Sequence, residues 1–373
     1  MPPTRPWPIL LMTRTLDLGG TERQVAEVAK SLDPSLFRAS VACFDANGSR
    51  ADDLRQAGVP VVEFPVRSFA SPRTATISYQ FVRWLRRHQV ALVHPFDMPT
   101  VLYAVPLARV ARVPIVLSSQ RGDRRMFDRA YQHVLGVTDR LANAIVVNSD
   151  YIREVQRVHF GVPDARMHTC RNGLDTTAFH AVNRVRRPEV DGAHLVVGIV
   201  AALRTEKSIE TLIDACAQID RMALRLVIVG DGPCREQLEQ RARKAGLDAG
   251  RCQFVPPPSE VMSWYRSIDV FVLPSTNESF SNSLMEAMAC GCTVVASRVG
   301  GNPELVRDGE NGLLFEVENV DDLARQLTRL LADANLRQRL AAEAVRTIQQ
   351  GYTSELSARQ FADLYLRLLE DRA

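Results

Sequence analysis

Short apolar runs alternate with amphipathic segments along almost the whole of this 373-residue chain. The runs have the length of buried strands, and the segments between them have the spacing of helices. Strands separated by helices pair in parallel, because a parallel crossover needs a dozen or more residues. The sequence therefore predicts an α/β fold whose parallel sheets carry helices on both faces. The predicted strands are residues 9–13, 39–44, 61–64, 91–94, 115–118, 144–148, 195–201, 225–229, 252–255, 270–273, 293–296 and 313–316.

A polar stretch containing a proline and a glycine, residues 181–194, interrupts the alternation. A chain of this length also exceeds what one core usually holds. We therefore expect two Rossmann-like doubly wound domains, residues 1–183 and 195–350, and a C-terminal helix in residues 351–373 that packs back across the hinge. Ligands of such sheets bind outside the carboxyl ends of the strands, so two facing domains are expected to form a cleft.

Composition narrows the class of protein. Apolar residues make up 46% and charged residues 24%, as in ordinary globular proteins, and no apolar run approaches the ~20 residues that span a bilayer. The start of the chain has too short an apolar stretch for a signal peptide. Seven scattered cysteines without paired spacing indicate free buried thiols rather than disulfides or a zinc site. We expect a cytoplasmic protein.

Charge is unevenly distributed between the two halves. Residues 1–185 hold 24 Lys and Arg against 16 Asp and Glu, whereas residues 186–373 hold 22 against 27. The basic half would be drawn to an anionic partner, such as the inner face of a membrane. One helix end, residues 83–88 (RWLRRH), combines basic and aromatic side chains in a way that suits peripheral docking, although a solvated helix end explains it equally well.

Residues 278–291, ESFSNSLMEAMACG, place Glu278 before a predicted helix and Glu286 in its expected first turn. The first N–H groups of a helix have no intrahelical partners and favour an anion. Carboxylates on either side accept hydrogen bonds from sugar hydroxyls. The combination suits a nucleotide-sugar, which has a phosphate centre and hydroxylated ends. The alternative is a simple capping box, in which Glu286 reaches back from its position three residues after Ser283.

Six segments occur in an order and spacing that resemble the family 4 glycosyltransferases of the GT-B fold. They are LDLGGTERQ (16–24), RNGLD (171–175), AALRTEKSIETLIDA (201–215), VIVGDGP (227–233), ESFSNSLMEAMACG (278–291) and VGGNPELVRDGENGLL (299–314). The resemblance implies a retaining hexosyltransferase that needs no metal or other cofactor. It implies a UDP- or GDP-sugar donor and a glycan, lipid-linked or small-molecule acceptor, and no nucleic acid.

The resemblance also implies roles for residues at the donor side. Lys207 corresponds to a phosphate-binding lysine, Glu278 to the glutamate that touches the transferred sugar, and Glu286 to the glutamate that binds the ribose. Lys207 and Glu278 are the expected catalytic residues. The arginine that the family commonly has five residues before this lysine is Ala202 here, which leaves Arg204 as a substitute. The further expected donor contacts are Gly19, Gly20, Phe280, Ser281, Asn282, Ser283 and Leu284.

Each of these roles has a plainer alternative. Lys207 could be a solvated lysine at a helix start, and Gly19-Gly20 a tight turn before a helix predicted at residues 22–32, where Thr21 and Gln24 form a capping box. Residues 230–232, GDG, lack the full dinucleotide fingerprint and are interpreted as a strand-to-helix turn.

The acceptor side departs from the family pattern. The histidine that many relatives carry after the strand at 115–118 is replaced by Gln120 and Arg121. His94 and Asp97, at the end of the preceding strand, are the other candidates for an acceptor site, and a structural role for His94 is an equal alternative. Arg121 also opens a basic run with Arg124 and Arg125 that suits an acceptor phosphate.

Two other functions stay open at this stage. A nucleotide-sugar epimerase or hydrolase of the same fold is compatible with the missing acceptor-side histidine, and a non-catalytic sugar-nucleotide binding protein is compatible with the donor motif. A dinucleotide-dependent oxidoreductase is disfavoured, because neither half has a complete phosphate-loop fingerprint followed by a ribose-binding acid.

Overall fold

A computed structural model describes residues 6–17, 19–181, 186–190, 192–219, 224–248, 250–258 and 261–372. The chain forms two compact units: Met1–Gly173 with Ser354–Ala373, called the first unit, and Leu174–Thr353, called the second unit. The predicted linker at 181–194 falls partly on residues 182–185 and 191, which lie outside the described residues.

The strands, numbered along the chain, are β1 (Trp7–Thr15), β2 (Phe37–Asp45), β3 (Val61–Glu63), β4 (Leu92–Pro95), β5 (Ile115–Gln120), β6 (Ala144–Val147), β7 (Met167–Thr169), β8 (Val196–Val200), β9 (Arg225–Val229), β10 (Cys252–Val255), β11 (Val270–Leu273), β12 (Thr293–Ser297) and β13 (Leu313–Phe315). The helices are α1 (Gly20–Ser31), α2 (Ser49–Gln56), α3 (Pro72–Arg87), α4 (Met98–Ala111), α5 (Arg129–Leu141), α6 (Asp150–Phe160), α7 (Ile209–Ala217), α8 (Arg235–Lys244), α9 (Met262–Ser267), α10 (Asn282–Ala289), α11 (Asn302–Leu305), α12 (Val320–Ala332), α13 (Ala334–Gly351) and α14 (Ser354–Glu370).

These elements build two parallel sheets, as predicted. The first unit has seven strands in the order β3-β2-β1-β4-β5-β6-β7, and the second has six in the order β10-β9-β8-β11-β12-β13. The structure confirms the α/β fold class, and each predicted strand lies within two residues of its observed ends. The described strand that the sequence reading missed is β7, whose three residues include a histidine and a threonine and form no apolar run.

Burial on both faces explains why the strands are so apolar. In β1, Ile9 and Leu11 join one hydrophobic cluster of the first unit, whereas Leu10 and Met12 join another. Successive side chains of a strand point to opposite faces, so one strand feeds two cores. The helix α14 adds Phe361 to the first of these clusters, although it follows the whole second unit in the chain.

The strand order fixes where ligands can bind. In each sheet the order reverses once, between β1 and β4 in the first unit and between β8 and β11 in the second. Loops leave these adjacent strands in opposite directions, which opens a crevice at their carboxyl ends. The loops after β8 and β11 carry Lys207 and Glu278, and those after β1 and β4 carry Gly19 and Asp97.

All seven cysteines are free, and all except Cys234 are buried. Burial raises the pKa of several of these thiols, including that of Cys252 to about 12. Within the described residues, no helix combines the length and the hydropathy needed to cross a membrane.

Candidate active site

The loop after β8 and the loop after β11 meet at the switch point of the second sheet. Residues Thr205–Lys207 form a single 3-10 turn after β8. The backbone N–H of Thr276, after β11, donates to the carbonyl of Glu206 in that turn at 2.9 Å. This bond ties the two loops together and brings the predicted catalytic residues into contact. The ammonium Nζ of Lys207 lies 2.6 Å from Oε2 of Glu278, with side chains 20% and 13% exposed.

Two glycines allow close packing against the loop that carries Lys207. A Cβ on Gly230 would lie 1.9 Å from the carbonyl oxygen of Ala201, and one on Gly232 would lie 2.5 Å from that of Leu203. Gly230 also has a φ of +141°, which other residues rarely adopt. The glycines therefore let the loop after β9 pack against the loop that carries Lys207. This structural role agrees with the interpretation of residues 230–232 as a strand-to-helix turn.

A second glycine pair holds Glu278 in place. A Cβ on Gly300, whose φ is +57°, would lie 1.8 Å from the carbonyl oxygen of Glu278. The N–H of Gly301 donates to that same carbonyl at 2.9 Å. The hydroxyl of Ser275 donates to the Glu278 carboxylate at 3.2 Å. The sequence analysis did not predict this supporting role. It included the two glycines only as part of the segment 299–314, which was quoted for its resemblance to the family.

The helix α10 begins two residues earlier than the capping-box alternative requires. Its cap is Ser281, whose Oγ accepts a hydrogen bond from the N–H of Leu284 at 3.3 Å. Ser283 is the second residue of the helix rather than its cap. Glu286 is the fifth, so the expectation that it stands in the first turn was wrong, and so is the capping box.

Glu286 is held by a tyrosine instead of by the helix start. The buried hydroxyl of Tyr265, on α9, donates to Oε2 of Glu286 at 2.7 Å. The Glu286 side chain is nearly buried, so this bond orients a carboxylate that has little contact with water. Tyr265 was missed from sequence, because a tyrosine in a short helix before a strand is ordinarily a core residue.

The other predicted donor residues divide into three groups. Phe280 and Leu284 are buried, so their side chains have little surface to offer a ligand. Asn282 and Ser283 are partly exposed at the start of α10. The Arg204 side chain is 64% exposed and lies 4.0 Å from Glu206, and among the described residues no side-chain bond joins it to Lys207 or Glu278. The structure therefore brings Lys207 and Glu278 into contact, places Glu286 on the helix α10 that follows Glu278, and leaves the Arg204 side chain in solvent.

In the first unit, the helix α1 begins at Gly20, earlier than the predicted residue 22, with Gly19 as its cap. No side chain caps it, so the predicted capping box of Thr21 and Gln24 was wrong. A Cβ on Gly19 would lie 1.9 Å from Oε2 of Glu22, which folds back over the turn. The hydroxyl of Thr15 donates to the other Glu22 oxygen at 3.2 Å. The added Cβ would meet only the end of a flexible side chain, so the turn itself does not require a glycine here.

His94 lies in the core of the first unit. It is fully buried, with Nδ1 hydrogen-bonded to the Tyr365 hydroxyl at 2.6 Å and Nε2 to the Ser119 hydroxyl at 2.7 Å. Burial, with a smaller contribution from the charge of Arg121, lowers the pKa of His94 well below its ordinary value. The ring is therefore neutral at physiological pH. These contacts agree with the structural alternative for this histidine.

Asp97 caps the helix α4 and links it to β1. Its carboxylate accepts hydrogen bonds from the N–H of Thr100 at 3.0 Å, the hydroxyl of Thr13 at 2.9 Å and the N–H of Arg14 at 2.6 Å. The side chain is partly exposed. Asp97 thus lies at the switch point of the first sheet, with most of its acceptor capacity used by the fold.

The residues after β5 form a polar network. Gln120 is buried and donates to both oxygens of Asp139, at 3.0 and 3.1 Å. Arg121 donates to Asn172 and lies over the ring of Phe96, at 5.4 Å from its centroid. Burial lowers the pKa of Arg121 to about 10.

The two other arginines of the basic run are neutralised by aspartates. Arg124 is buried 3.2 Å from Asp139. Arg125 lies 2.7 Å from Asp123. Burial alone would raise the pKa of Asp123, but hydrogen bonds from Arg125 hold it at about 2. Of the run that seemed suited to an acceptor phosphate, Arg121 alone has no ion pair among the described residues.

No group of three His, Cys, Asp or Glu side chains is arranged to hold a metal ion anywhere in the described ranges. The expectation that no metal is needed stays a prediction.

Comparisons with known proteins agree over both units. A family model described as Glycosyltransferase Family 4 matches residues 18–178, and one described as Glycosyl transferases group 1 matches residues 185–347. The D-inositol 3-phosphate glycosyltransferase of Rhodococcus jostii is 31% identical over 281 residues, covering 71% of this chain and 59% of the relative. That of Thermobifida fusca is 27% identical, covering 89% of this chain and 85% of the relative.

Coverage of the relatives is often partial. Several matches extend over about half of the curated relative. The lipopolysaccharide core biosynthesis glycosyltransferase LpsE of Rhizobium meliloti, for example, is 33% identical over 166 residues. That match covers 44% of this chain and 47% of LpsE.

Solved structures share the fold over nearly the whole chain. The Anabaena protein HepE (Alr3699), solved in complex with UDP-glucose, superposes with a TM-score of 0.85 at 22% identity, over 96% of this chain and 99% of HepE. The sucrose-phosphate synthase of Thermosynechococcus elongatus gives 0.80 at 21% identity, over 98% of this chain and all of that one. With both family models matched and this fold shared, the chain belongs to the group 1, family 4 glycosyltransferases of the GT-B fold.

Proposed function

We propose that this protein is a retaining, metal-independent glycosyltransferase that moves a hexose-type sugar from a nucleotide-diphosphate sugar to a glycan, lipid-linked or small-molecule acceptor. The observation that carries the proposal is the contact between Lys207 and Glu278, 2.6 Å apart at the switch point of the second sheet. Ligands of doubly wound sheets bind at this point. A cation and a carboxylate meet there beside the start of a helix.

The charges in this site match the charges that the reaction develops. A nucleoside diphosphate gains negative charge as the glycosidic bond breaks, and fixed cations and N–H dipoles stabilise that charge. In the proposed complex, Lys207 and the first N–H groups of α10 bind the diphosphate, with Gly19 and Gly20 as predicted further donors. The ammonium then exchanges its contact with Glu278 for one with phosphate.

The carboxylates bind the two ends of the donor in this proposal. Glu278, released from Lys207, accepts hydrogen bonds from the transferred sugar and stabilises positive charge at its anomeric carbon. Glu286, oriented by Tyr265 at 2.7 Å, accepts bonds from the ribose hydroxyls. Because the Glu286 carboxylate is nearly buried, its hydrogen bonds to the ribose form in a medium that screens them little.

The relatives support the choice of donor and acceptor class. HepE was solved with UDP-glucose, and several curated relatives are named as transferring a sugar to D-inositol 3-phosphate. A UDP- or GDP-sugar is the proposed donor for this chain. The proposed location is the cytoplasm. The role of Arg204 as a substitute phosphate ligand stays a prediction, because its side chain extends into solvent.

Two substitutions with opposite expected effects test the proposal. Glu278→Gln removes the carboxylate but keeps its shape, so the freed Lys207 should bind nucleoside diphosphate at least as tightly while transfer falls by 100-fold or more. Lys207→Met should instead weaken nucleoside diphosphate binding by roughly 10–100-fold, the range expected for losing a charge-assisted hydrogen bond. The neighbouring Glu206→Gln is the matched control and should change neither quantity.

The measurements begin with the nucleotide. Thermal shifts with UDP, GDP, ADP and TDP identify the base, because a ligand that binds only the folded state raises its stability. Transfer is then followed with donors of that base and an acceptor panel, and the anomeric configuration of the product is read by proton NMR. Wild-type transfer by Glu278→Gln would remove the assignment, and an inverted product would remove the retaining mechanism.

The same experiments separate the remaining alternatives. Product formed from the donor without an acceptor would favour an epimerase or a hydrolase. Tight nucleoside diphosphate binding without turnover on any acceptor would favour a binding protein.

A further inference from the structure

The helix α5 carries an apolar stripe that faces solvent. Ala130, Val134, Val137 and Leu141 are exposed on the helix, and Phe127 is exposed two residues before it; the four larger side chains are 41–50% exposed. The spacing of three and four residues places the four helical positions on one side of α5. We call these five residues the α5 stripe.

The stripe is separate from the face that α5 turns towards its own sheet. That face is formed by Leu135, Thr138 and Asp139, which are buried. A surface helix of a globular protein needs one apolar face, and the side away from it is normally polar. The α5 stripe is therefore additional to what the fold requires.

The apolar surface extends beyond the stripe itself. Met126, just before the helix, is 62% exposed, and Val110, at the end of α4, is 59% exposed. Arg109, next to Val110, donates through Nε to the carbonyl of Leu141 at 2.6 Å, so the ends of the two helices are in contact. Six of the ten large apolar side chains that are most exposed in the described residues belong to this surface. Exposed apolar groups scattered singly are ordinary, but a contiguous group marks a docking surface.

The charges around the stripe are almost all positive. Over residues 98–143 the exposed charged side chains are Arg112, Arg125, Arg129, Arg140 and Asp128. The carboxylate of Asp128 caps α5 by accepting the N–H of Tyr131 at 2.8 Å.

Three of those arginines have no carboxylate partner. Arg112, Arg129 and Arg140 form no ion pair within the described part of the chain. At 100° per residue, Arg129, Arg140 and His133 lie beside the stripe on the side away from the sheet. The stripe thus has a basic border towards solvent.

We propose that the α5 stripe and its arginines dock on the surface of an anionic lipid bilayer. A helix that lies in a membrane interface has this arrangement, with an apolar strip inserted among the acyl chains and arginines beside it at the headgroups. Each arginine near an anionic surface strengthens binding roughly fivefold. A second copy of the chain is a poorer occupant, because a symmetric contact would bring the same arginines together.

This surface is not the one for which the sequence pattern allowed peripheral docking. At residues 83–88 the aromatic side chain is Trp84, which is only partly exposed, packs against Phe64 and stacks on His88. Its ring is therefore largely occupied by the fold. The exposed apolar area lies on α5, where the sequence reads as an ordinary amphipathic helix.

The test uses the full chain and sedimentation with two kinds of vesicle, pure phosphatidylcholine and a 7:3 mixture of phosphatidylcholine and phosphatidylglycerol. The wild type should bind the mixed vesicles and bind pure phosphatidylcholine at least tenfold more weakly. Raising the salt from 0.1 to 0.5 M should weaken binding, because it shortens the range of the charge attraction. Absence of binding to the mixed vesicles would overturn the proposal.

Variants locate the surface. Val134→Ser, Val137→Ser and Leu141→Ser together should weaken binding at least tenfold, and Arg129→Gln with Arg140→Gln should weaken it roughly 20-fold. The matched controls are Tyr79→Ser, Val158→Ser and Val317→Ser for exposed apolar groups, and Arg243→Gln with Lys244→Gln for exposed charges. The control proteins should bind as the wild type does.

Each outcome decides the question. Equal binding by the stripe variant and its control would overturn the proposal. So would a wild-type protein that binds no vesicles but forms a dimer in analytical ultracentrifugation, if the serine variant abolishes that dimer. All variants should keep the wild-type melting temperature to within a few degrees, since they alter exposed positions. The thermal shift with nucleoside diphosphate should also stay unchanged, which separates this proposal from the fate of the proposed function.

Discussion

At the scale of single residues, the position of Glu278 is set by contacts from three directions. Its carboxylate meets the ammonium of Lys207, 71 positions away in the chain, and the hydroxyl of Ser275. Its backbone carbonyl is held by Gly301 and approached closely by Gly300. The contacts with Ser275 and the two glycines do not depend on Lys207, so Glu278 should reorganise little when the ammonium turns to a phosphate, which is the condition for electrostatic stabilisation of a transition state.

Gly300→Ala should disturb this arrangement more than a glycine substitution elsewhere. A Cβ at Gly300 would lie 1.8 Å from the Glu278 carbonyl oxygen, so the loop must move. Gly309→Ala is the matched control, because its φ of +78° is also positive but nothing lies within 4 Å of the added atom. Both should lose about 1–2 kcal/mol to the left-handed backbone. Only Gly300→Ala should lower transfer, by about tenfold or more, and equal activity of the two variants would contradict this account of Glu278.

His94 should make the stability of the protein depend on pH. Its folded pKa is well below the ordinary value because the ring is buried, whereas in the unfolded chain it takes up a proton near pH 6.5. The unfolded state then binds more protons, so the contribution to stability is full above pH 6.5 and falls as the pH drops below it. Between pH 7.5 and 5.5 the loss from this one group is about 1.4 kcal/mol.

The measurement compares urea unfolding of the wild type and His94→Gln at both pH values. The variant should be less stable than the wild type at pH 7.5 and should lose about 1.4 kcal/mol less on acidification. An identical pH dependence in the two proteins would mean that His94 is protonated in the folded state. The acceptor role predicted for this residue would then regain support.

At the scale of elements, the hydroxyl of Ser281 caps α10. This cap fixes where the helix starts and therefore where its first N–H groups lie. Ser281→Ala should destabilise the protein by about 1 kcal/mol, the usual cost of losing a serine cap, and should weaken nucleoside diphosphate binding as the helix start frays. Ser283→Ala tests the alternative, since in a Ser283–Glu286 capping box it would be the costly change. Denaturant midpoints and thermal shifts with nucleotide measure both effects. A larger loss for Ser283→Ala would contradict the observed cap.

The elements themselves could be predicted well from sequence, and the starts of two helices could not. Buried parallel strands such as Val270–Leu273 are continuous apolar runs, and the prediction matched that strand at both ends. The start of α10 depends on which of two serines turns its hydroxyl to the backbone, and both Ser281 and Ser283 fit local rules. In α1, Gln24 suits a capping box, but its side chain bonds Ser357 and the N–H of Gly173, contacts that no local pattern reveals.

Some residues of the candidate site could be predicted from sequence, and others could not. Lys207 and Glu278 could be selected because the segments that carry them resemble motifs of the family. Tyr265 could not, since its bond to Glu286 is made by tertiary packing alone. The same limit applied to the α5 stripe, because amphipathic spacing does not tell which apolar residues reach the core.

At the scale of the whole molecule, the chain builds the same sheet architecture twice, and each unit has one point where strand order reverses. Lys207 and Glu278 lie at that point in the second unit, and Gly19 and Asp97 lie at it in the first. The helix α14 returns to the first unit after the second is complete, so the two ends of the chain belong to one fold.

A crystal structure of the protein soaked with the nucleoside diphosphate that gives the largest thermal shift tests the central claim most directly. We expect a phosphate oxygen within hydrogen-bonding distance of Lys207 Nζ and of the first N–H groups of α10, with the ribose hydroxyls on Glu286. The separation between Lys207 and Glu278 should then exceed its present 2.6 Å. A nucleotide bound away from the loops after β8 and β11, with that ion pair intact, would contradict the account.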